Sequence, residues 1–562
     1  MIVNNGDDWE CKGYKDDTHP PLTVGPGEQC PICMRMSNSP DYKRKPLTPI
    51  PIVVVSLVVL AILGIGSYKL LSKQSVDVPS ATPQSPEIVD QPHVTEPPET
   101  EEGSDKISSE ITQPEEPTIP DPPTEPDPPQ SETPVPPQQR EQFSKGEKTL
   151  FSGIGNANRD RGIEAFQKGD YAQAADFFNK AIEGDRNDPE PLIYYNNALA
   201  HQKENRFTLA VVVPIDSRLT SAQEILRGVA QAQHNFNQSG GLNSKFLEIL
   251  IVNDGNDPKQ SSQVASELIK DSSILGVIGH NSSDASKAGL AVYEKAGLPM
   301  ISPTSTSTSL ASPVFFRTVP SDTAAGEKLA DYAYNDLLVN NGIILYNPNS
   351  AYSKSLKEAF EKNFKHLGGN LVRSIDLSDP KFEAKIEISR IALTKEAQAV
   401  LLFPDTQFTS VAIEVAKANS QLQQGERLKL LGGDALYGPT TLQAGASVEG
   451  LILAVPWFAK SPQSQNFSNL TEKQWGGLVN WRTAMSFDAT QAFIKAFSEN
   501  ASRSQILTQL KSISLPSEKT SGSPLEFSSE GERRSQPILV KTSRGGSVRP
   551  ANTEFDFEVI SE

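Results

Sequence analysis

From Phe207 onward the chain alternates between two patterns. Short apolar runs rich in β-branched residues, "LAVVVPI", "LEILIVND", "ILGVIGH", "LPMISP", "GIILYN", "AVLLFP", "LLGGD" and "LILAVP", end almost every time in a polar residue, glycine or proline. Between them lie stretches with helical spacing, such as "SELIKD", "SLKEAFEKNFKHLGG" and "SVAIEVAKANSQL". Such runs read as strands buried on both faces, and their alternation with helices reads as parallel sheets covered by helices. Two successive sets predict an α/β fold of two doubly wound lobes joined by a hinge over residues 206–547, followed by a tail at 548–562.

Upstream the pattern changes several times. Ile163 and Phe166, then Tyr171, Ala174, Phe178, Ala181 and Ile182, recur at helical spacing around a break at "KGDY", which predicts a short all-α segment over residues 146–205. Gly162, Gly169, Tyr171, Ala174, Phe178 and Ala181 resemble the tetratricopeptide pattern, with its later proline displaced to Pro189. Only one repeat and the first helix of a second are present. Stacked repeats need neighbours to bury their faces, so the expectation is a helical collar and not a peptide groove.

Residues 72–145 carry many carboxylates, repeated prolines and almost no large apolar side chains. Such a segment buries too little surface to offset its ordering entropy and is expected to be an extended stalk. Before it, Pro46 to Tyr68 is an uncharged apolar run, long enough to cross about 30 Å of hydrocarbon as a helix. Residues 46–71 are therefore expected to span a membrane once. Arg35, Lys43, Arg44 and Lys45 precede the run and an acidic segment follows it, which predicts a cytosolic N-terminus and an extracytoplasmic remainder.

All three cysteines, Cys11, Cys30 and Cys33, precede the span, where a reducing compartment would keep them as thiols. With His19 they offer four ligands of the kind tetrahedral zinc takes, and residues 1–45 resemble a small zinc ribbon of irregular spacing. Free thiols in a flexible tail are the alternative. No other cofactor is implied.

Composition adds one exclusion. The chain of 562 residues has 43 prolines and a formal charge of −17, much of it carried by the stalk. No basic patch elsewhere suggests nucleic acid as a partner.

Candidate chemistry lies where strands end, because ligands of such sheets bind beyond the strands' carboxyl ends. The run Thr304 to Ser309 is six consecutive hydroxyl residues following one strand, and "GHNSSD" follows another. Backbone N–H groups there, with the hydroxyls of Ser283, Ser305 and Thr306, suit an anionic group such as a carboxylate. Ser283 has a second reading as the cap of a helix beginning near Asp284. Asp434 and Asp405 each follow a strand of the second set and suit a cation. Donors on one lobe and acceptors on the other suit a zwitterion. His280 stands near Ser282 and Ser283, but no GxSxG elbow surrounds it, so an enzyme is not expected.

Six motifs then carry a resemblance over roughly Thr208 to Gly546. They are "GVIGHNSSDASKAGLAVYEKAGLPMISPTSTSTSL" with "FFRTVPSD", then "NSAYSKSLKEAF", "LLGGDALYG", "SFDATQAF" and "PLEFSSEGERR". In this order they resemble the type I periplasmic binding proteins, specifically the leucine/isoleucine/valine-binding group. The resemblance implies a clamshell closing on a small solute, often an amino acid. It implies that Ser283, Thr304, Ser305 and Thr306 bind the solute carboxylate, that Tyr352 covers the ligand from the second lobe, and that Asp434 pairs with the ammonium, with Asp405 a further candidate. The first loop departs from the family pattern: Asp216, Ser217 and Arg218 replace its usual small residues. The implied function is solute capture for an ABC-type permease, the alternative a ligand sensor or scaffold acting through membrane partners.

Overall fold

The computed structural model describes residues 9–11, 22–24, 141–545 apart from 152 and 154, and 553–560. In the N-terminal unit, β1 (Trp9–Cys11) and β2 (Leu22–Val24) pair antiparallel, with Cys11 opposite Leu22. His19, Cys30 and Cys33, the apolar run at 46–71 and residues 72–140 lie outside the described residues. Among the described residues no helix is long and apolar enough to cross a membrane, and no group of three or more His, Cys, Asp or Glu stands ready to hold a metal.

The second unit begins with β3 (Phe143–Ser144), followed by α1 (Ala157–Gln167), α2 (Tyr171–Gly184) and α3 (Pro189–His201). Asn156, Asp170 and Asp188 cap the three helices by accepting from backbone N–H groups, which fixes where each starts. The first lobe then runs β4 (Arg206–Val213), α4 (Leu219–Gln238), β5 (Phe246–Asn253), α5 (Pro258–Leu268), β6 (Ile274–Ile278), α6 (Ser283–Lys295), β7 (Met300–Ser302) and β8 (Phe315–Arg317). Its sheet order is β3-β5-β4-β6-β7-β8, parallel except for β3.

Side-chain alternation divides this lobe's core in two. Leu209, Val211 and Val213 of β4 join one buried cluster, while Ala210 and Val212 join another on the opposite face. Phe166, Phe178 and Ile193 of α1, α2 and α3 belong to the first cluster, so these helices share the lobe's core and are not a separate collar. Exposing each such side chain would cost roughly 1.5–3 kcal/mol, enough to hold the helices in place.

Asparagines of α3 and α4 also close the outer edge of β5. The Asn237 side chain accepts from the Leu247 N–H at 2.7 Å and donates to its carbonyl at 3.0 Å. Asn197 does the same for Ile249, at 2.8 and 2.7 Å, and Phe143 and Ser144 pair with Val252 and Ile251. Side-chain amides and a two-residue strand together satisfy an edge that would otherwise invite pairing with another chain. This is why Phe143 and Ser144 belong to the sheet and not to the stalk predicted over 72–145. Burial pushes the Glu248 carboxyl up, but hydrogen bonds from His201 and Lys145 and the charges of Lys145 and Arg206 bring it down to about 2.

The second lobe repeats the winding with α7 (Asp322–Asp331), β9 (Asn341–Tyr346), α8 (Ala351–His366), β10 (Asn370–Asp376), α9 (Ala384–Thr394), β11 (Ala399–Phe403), α10 (Thr409–Ser420), β12 (Lys429–Gly432) and β13 (Ile452–Val455). The chain then returns to the first lobe's core through α11 (Gln465–Trp475), α12 (Trp481–Ala496) and α13 (Arg503–Leu510). It comes back to the second sheet as β14 (Ile538–Arg544) and β15 (Phe555–Val559). Those two strands are antiparallel and extend the parallel five. β15 lies within the stretch 548–562 predicted as a tail; Phe555 and Phe557 are buried in the second lobe.

The lobes are thus linked by three crossings, at 318–321, 456–464 and 527–537. Arg533, in the third, donates from Nη1 to Asp488 Oδ2 on α12 at 2.6 Å and to the Thr318 carbonyl in the first crossing at 3.2 Å. Thr318 Oγ1 donates to the Met485 carbonyl at 2.9 Å. Two crossings are therefore pinned to one helix of the first lobe.

Candidate functional site

The hydroxyl run is the link between the two strand-end loops. Thr304 Oγ1 lies 2.7 Å from the Asn281 carbonyl, to which it donates, and Ser305 Oγ lies 2.7 Å from Ser286 Oγ. Beneath them Arg317 is fully buried. Its Nη1 donates to the carbonyls of Ser305 and Ser307 at 3.2 and 2.9 Å, its Nη2 donates to the Leu310 carbonyl at 3.2 Å, and Glu532 pairs with it at 2.9 Å. One guanidinium thus sets the path of the whole loop.

Farther along, the run reaches the other lobe. Ser307 Oγ donates to the Ala351 carbonyl at 3.1 Å, and the Thr308 N–H donates to Ser355 Oγ at 2.9 Å. Asp284, in the first turn of α6, accepts from the Ala351 N–H at 3.2 Å. The lobes meet here, helix start against helix start.

Asp322, the first residue of α7, is buried behind this contact, and its N–H donates to the Thr306 carbonyl at 2.9 Å. Burial pushes its carboxyl up to about 7, against the hydroxyls of Thr306 and Ser355. An unfolded aspartate ionises near pH 4, so between about 4 and 7 the folded chain keeps a proton the unfolded chain has lost. Stability from this group therefore falls as pH rises through that window. Asp322→Asn is expected to flatten the decline by about 2–3 kcal/mol between pH 5 and 8 in urea melts. Glu190, also raised to about 7 by burial, keeps a residual slope. Identical slopes in the two proteins would show that Asp322 ionises normally.

Beside the contact lies a cavity of about 960 Å³ lined from both lobes. Ser283, Thr304, Tyr352, Asp405 and Asp434 line it; Ser305 and Thr306 are buried and do not. Ser283 is not the helix cap. Ser282 Oγ accepts from the Ala285 N–H at 3.2 Å in that role, and Ser283 Oγ accepts from the Ser307 N–H at 3.3 Å.

Across the cavity, Tyr352 Oη donates to Asp434 Oδ1 at 2.9 Å. Gly433 permits this, because a Cβ there would stand 2.3 Å from the Tyr352 hydroxyl. Burial raises the Asp434 carboxyl, with Arg482 and the tyrosine hydroxyl opposing. Asp405 accepts from Asn347 Nδ2 at 2.6 Å and from the Gln407 N–H at 2.8 Å. Buried His280 sits off the cavity, between Asp254 at 2.7 Å and Tyr293 at 3.0 Å. It fixes a loop.

Several lining residues escaped the sequence pattern. Trp481 and Arg482, at the start of α12, reach the cavity because the chain returns to the first lobe there. Asn256, in the loop after β5, accepts from the Ser282 N–H at 3.1 Å and lines the cavity too. The strand-end rule that found Asp434 applies equally to "NDGNDP". Of the departing loop, Ser217 and Arg218 line the cavity, while Asp216 accepts from Asn253 at 2.6 Å.

The sequence model of a family described as "Periplasmic binding protein" matches residues 207–546. The chain belongs to that family. This periplasmic binding protein is 28% identical over 149 residues to an "Amino acid binding protein" of Pseudomonas aeruginosa, covering 26% of this chain and 40% of that one. To a "Leucine-, isoleucine-, valine-, threonine-, and alanine-binding protein" of the same organism it is 23% identical over 269 residues, covering 46% and 68%. The chain thus spans about two-fifths of the length of the first of these relatives. The fold of a leucine-binding protein from Thermotoga maritima matches at a TM-score of 0.54 with 19% identity, over 63% of this chain and 98% of that one. The two sequence relatives support the type I, Leu/Ile/Val-binding group and are solute-binding proteins, not enzymes, and the Thermotoga maritima likeness shows the fold.

Proposed function

We propose that this periplasmic binding protein captures an amino acid or a related zwitterion outside the cytoplasm by closure of its two lobes, and delivers it to an ABC-type permease. The observation that carries this reading is the cavity between the lobes, with strand-end donors at Ser283 on one side and the Tyr352–Asp434 pair on the other. The apolar run at 46–71 supplies a tether, with residues 1–45 in the cytosol. A ligand bound only to the folded state stabilises it by about 2.7 kcal/mol at a hundred times its Kd. Thermal melts of the full chain in detergent, against amino acids, their amides and short acids, are expected to show at least one upward shift. No shift with any of them would sink the reading.

A sensor role is the second reading, favoured by the core that α1, α2 and α3 share with the first lobe. That packing fixes one lobe to the segment leading toward the tether and leaves the other to move. Loss of solute uptake on deletion of the gene supports delivery. Unchanged uptake, with binding retained in the purified protein, supports sensing.

A further inference from the structure

Among the described residues, the cavity holds a guanidinium with neither an ion pair nor a hydrogen bond at its Nε. Arg482 is 8% exposed, its guanidinium lies over the Trp481 ring with Cζ 4.2 Å from the ring centroid, and its Nε has no hydrogen-bond partner. Trp481 Nε1, buried in the same lining, has none either. The carboxylates whose charge reaches Arg482 are engaged elsewhere: Asp434 by Tyr352 at 2.9 Å, and Glu224 by Arg227 at 2.6 Å and by Thr483. A buried guanidinium left unpaired is costly, and the remedy open to this site is an anion brought by the ligand. Arg218 on the facing loop also lines the cavity with a buried, unpartnered Nε.

The acids of the lining stand differently. Asp257 accepts from the Gln260 N–H at 2.8 Å, Asp284 from Ala351, and Asp405 from Asn347 and Gln407, each in a cap or turn. The lining therefore presents an anion pole at the Ser283 loop, a cation pole at Asp434, and a second anion pole at Arg482. Its apolar lining is Pro258, Tyr352, Phe408, Ala435 and Trp481, set among charged and polar residues.

We propose that the solute is a dicarboxylic amino acid, one ammonium between two carboxylates, with Arg482 as the residue that selects for the second acid. The α-carboxylate is assigned to the Ser283 loop and the side-chain acid to Arg482. The inference rests on the solute-binding reading above and narrows it.

The test is calorimetric titration of the full chain in detergent with L-glutamate, L-aspartate, L-glutamine, L-asparagine and L-leucine. At least one acid is expected to bind ten- to a hundredfold more tightly than its amide and than leucine, the difference a charge-assisted hydrogen bond makes. Arg482→Gln should bring acid and amide within threefold of each other, with a urea midpoint that holds or rises. Arg482→Lys should keep most of the preference, which separates a charge role from loss of packing on Trp481. If Arg482→Gln does not fold, the selectivity of the wild-type protein and of Arg482→Lys decides. Amides or leucine binding as tightly as the acids, or an acid preference that survives Arg482→Gln, overturns the proposal and leaves solute binding standing. No binding of any of the five overturns the proposal, while solute binding itself stands or falls on the wider thermal screen.

Discussion

Arg317→Met is expected to cost about 3–5 kcal/mol of stability, because three buried backbone carbonyls lose their donor. The guanidinium donates to the carbonyls of Ser305, Ser307 and Leu310, and Glu532 holds its charge. Burial lowers its pKa below the ordinary arginine value, and the carboxylates of Glu532 and Asp322 oppose that shift. Methionine fills much of the space but donates nothing, so buried carbonyls are left unpaired at about 1–3 kcal/mol each. Urea melts of the full chain would show the loss as a lower midpoint with the slope unchanged. A loss below about 1 kcal/mol would mean that the hydroxyl run holds its own shape.

Asp434→Asn is expected to weaken solute binding by about a hundredfold, and Tyr352→Phe by about tenfold. The carboxylate faces the cavity with one oxygen accepting from Tyr352, and its charge is the natural partner of a ligand ammonium. Asparagine keeps the shape and removes the charge. Because burial raises the carboxyl's pKa, the apo protein should lose no stability, and its melting temperature should hold or rise. Calorimetric titration with the best ligand from the thermal screen, paired with apo melts, checks both halves. Unchanged affinity in both variants would remove Asp434 from the site.

The strand runs were legible because strands of a parallel sheet, buried on both faces, need nearly continuous apolar side chains, as in "AVLLF". Asp405 and Asp434 were legible by the same logic, since the polar residue that ends such a run stands at the cleft. Phe143–Ser144 and Phe555–Val559 were not, because two to five residues beside proline-rich or polar sequence carry too little periodicity to outweigh their surroundings. The hydroxyl run was located but its chemistry was divided in a way no local pattern shows. Thr304 faces the cavity, Ser305 bonds Ser286, and Ser307 and Thr308 bridge the lobes. Arg482 reads in sequence as one more charge on a helix. Only the return of α12 to the first lobe brings it opposite Asp434.

The three crossings have a consequence for how the protein is made. Neither lobe is finished by the residues that start it: the first waits for α12 at 481–496, and the second waits for strands at 538–544 and 555–559. A chain emerging from the ribosome therefore cannot complete one lobe and then the other in order. Both remain open, with apolar faces bare, until nearly all of residues 206–559 are available. A nascent chain of this kind stays threadable for most of its synthesis, and its unfinished lobes keep apolar surface exposed for the same interval.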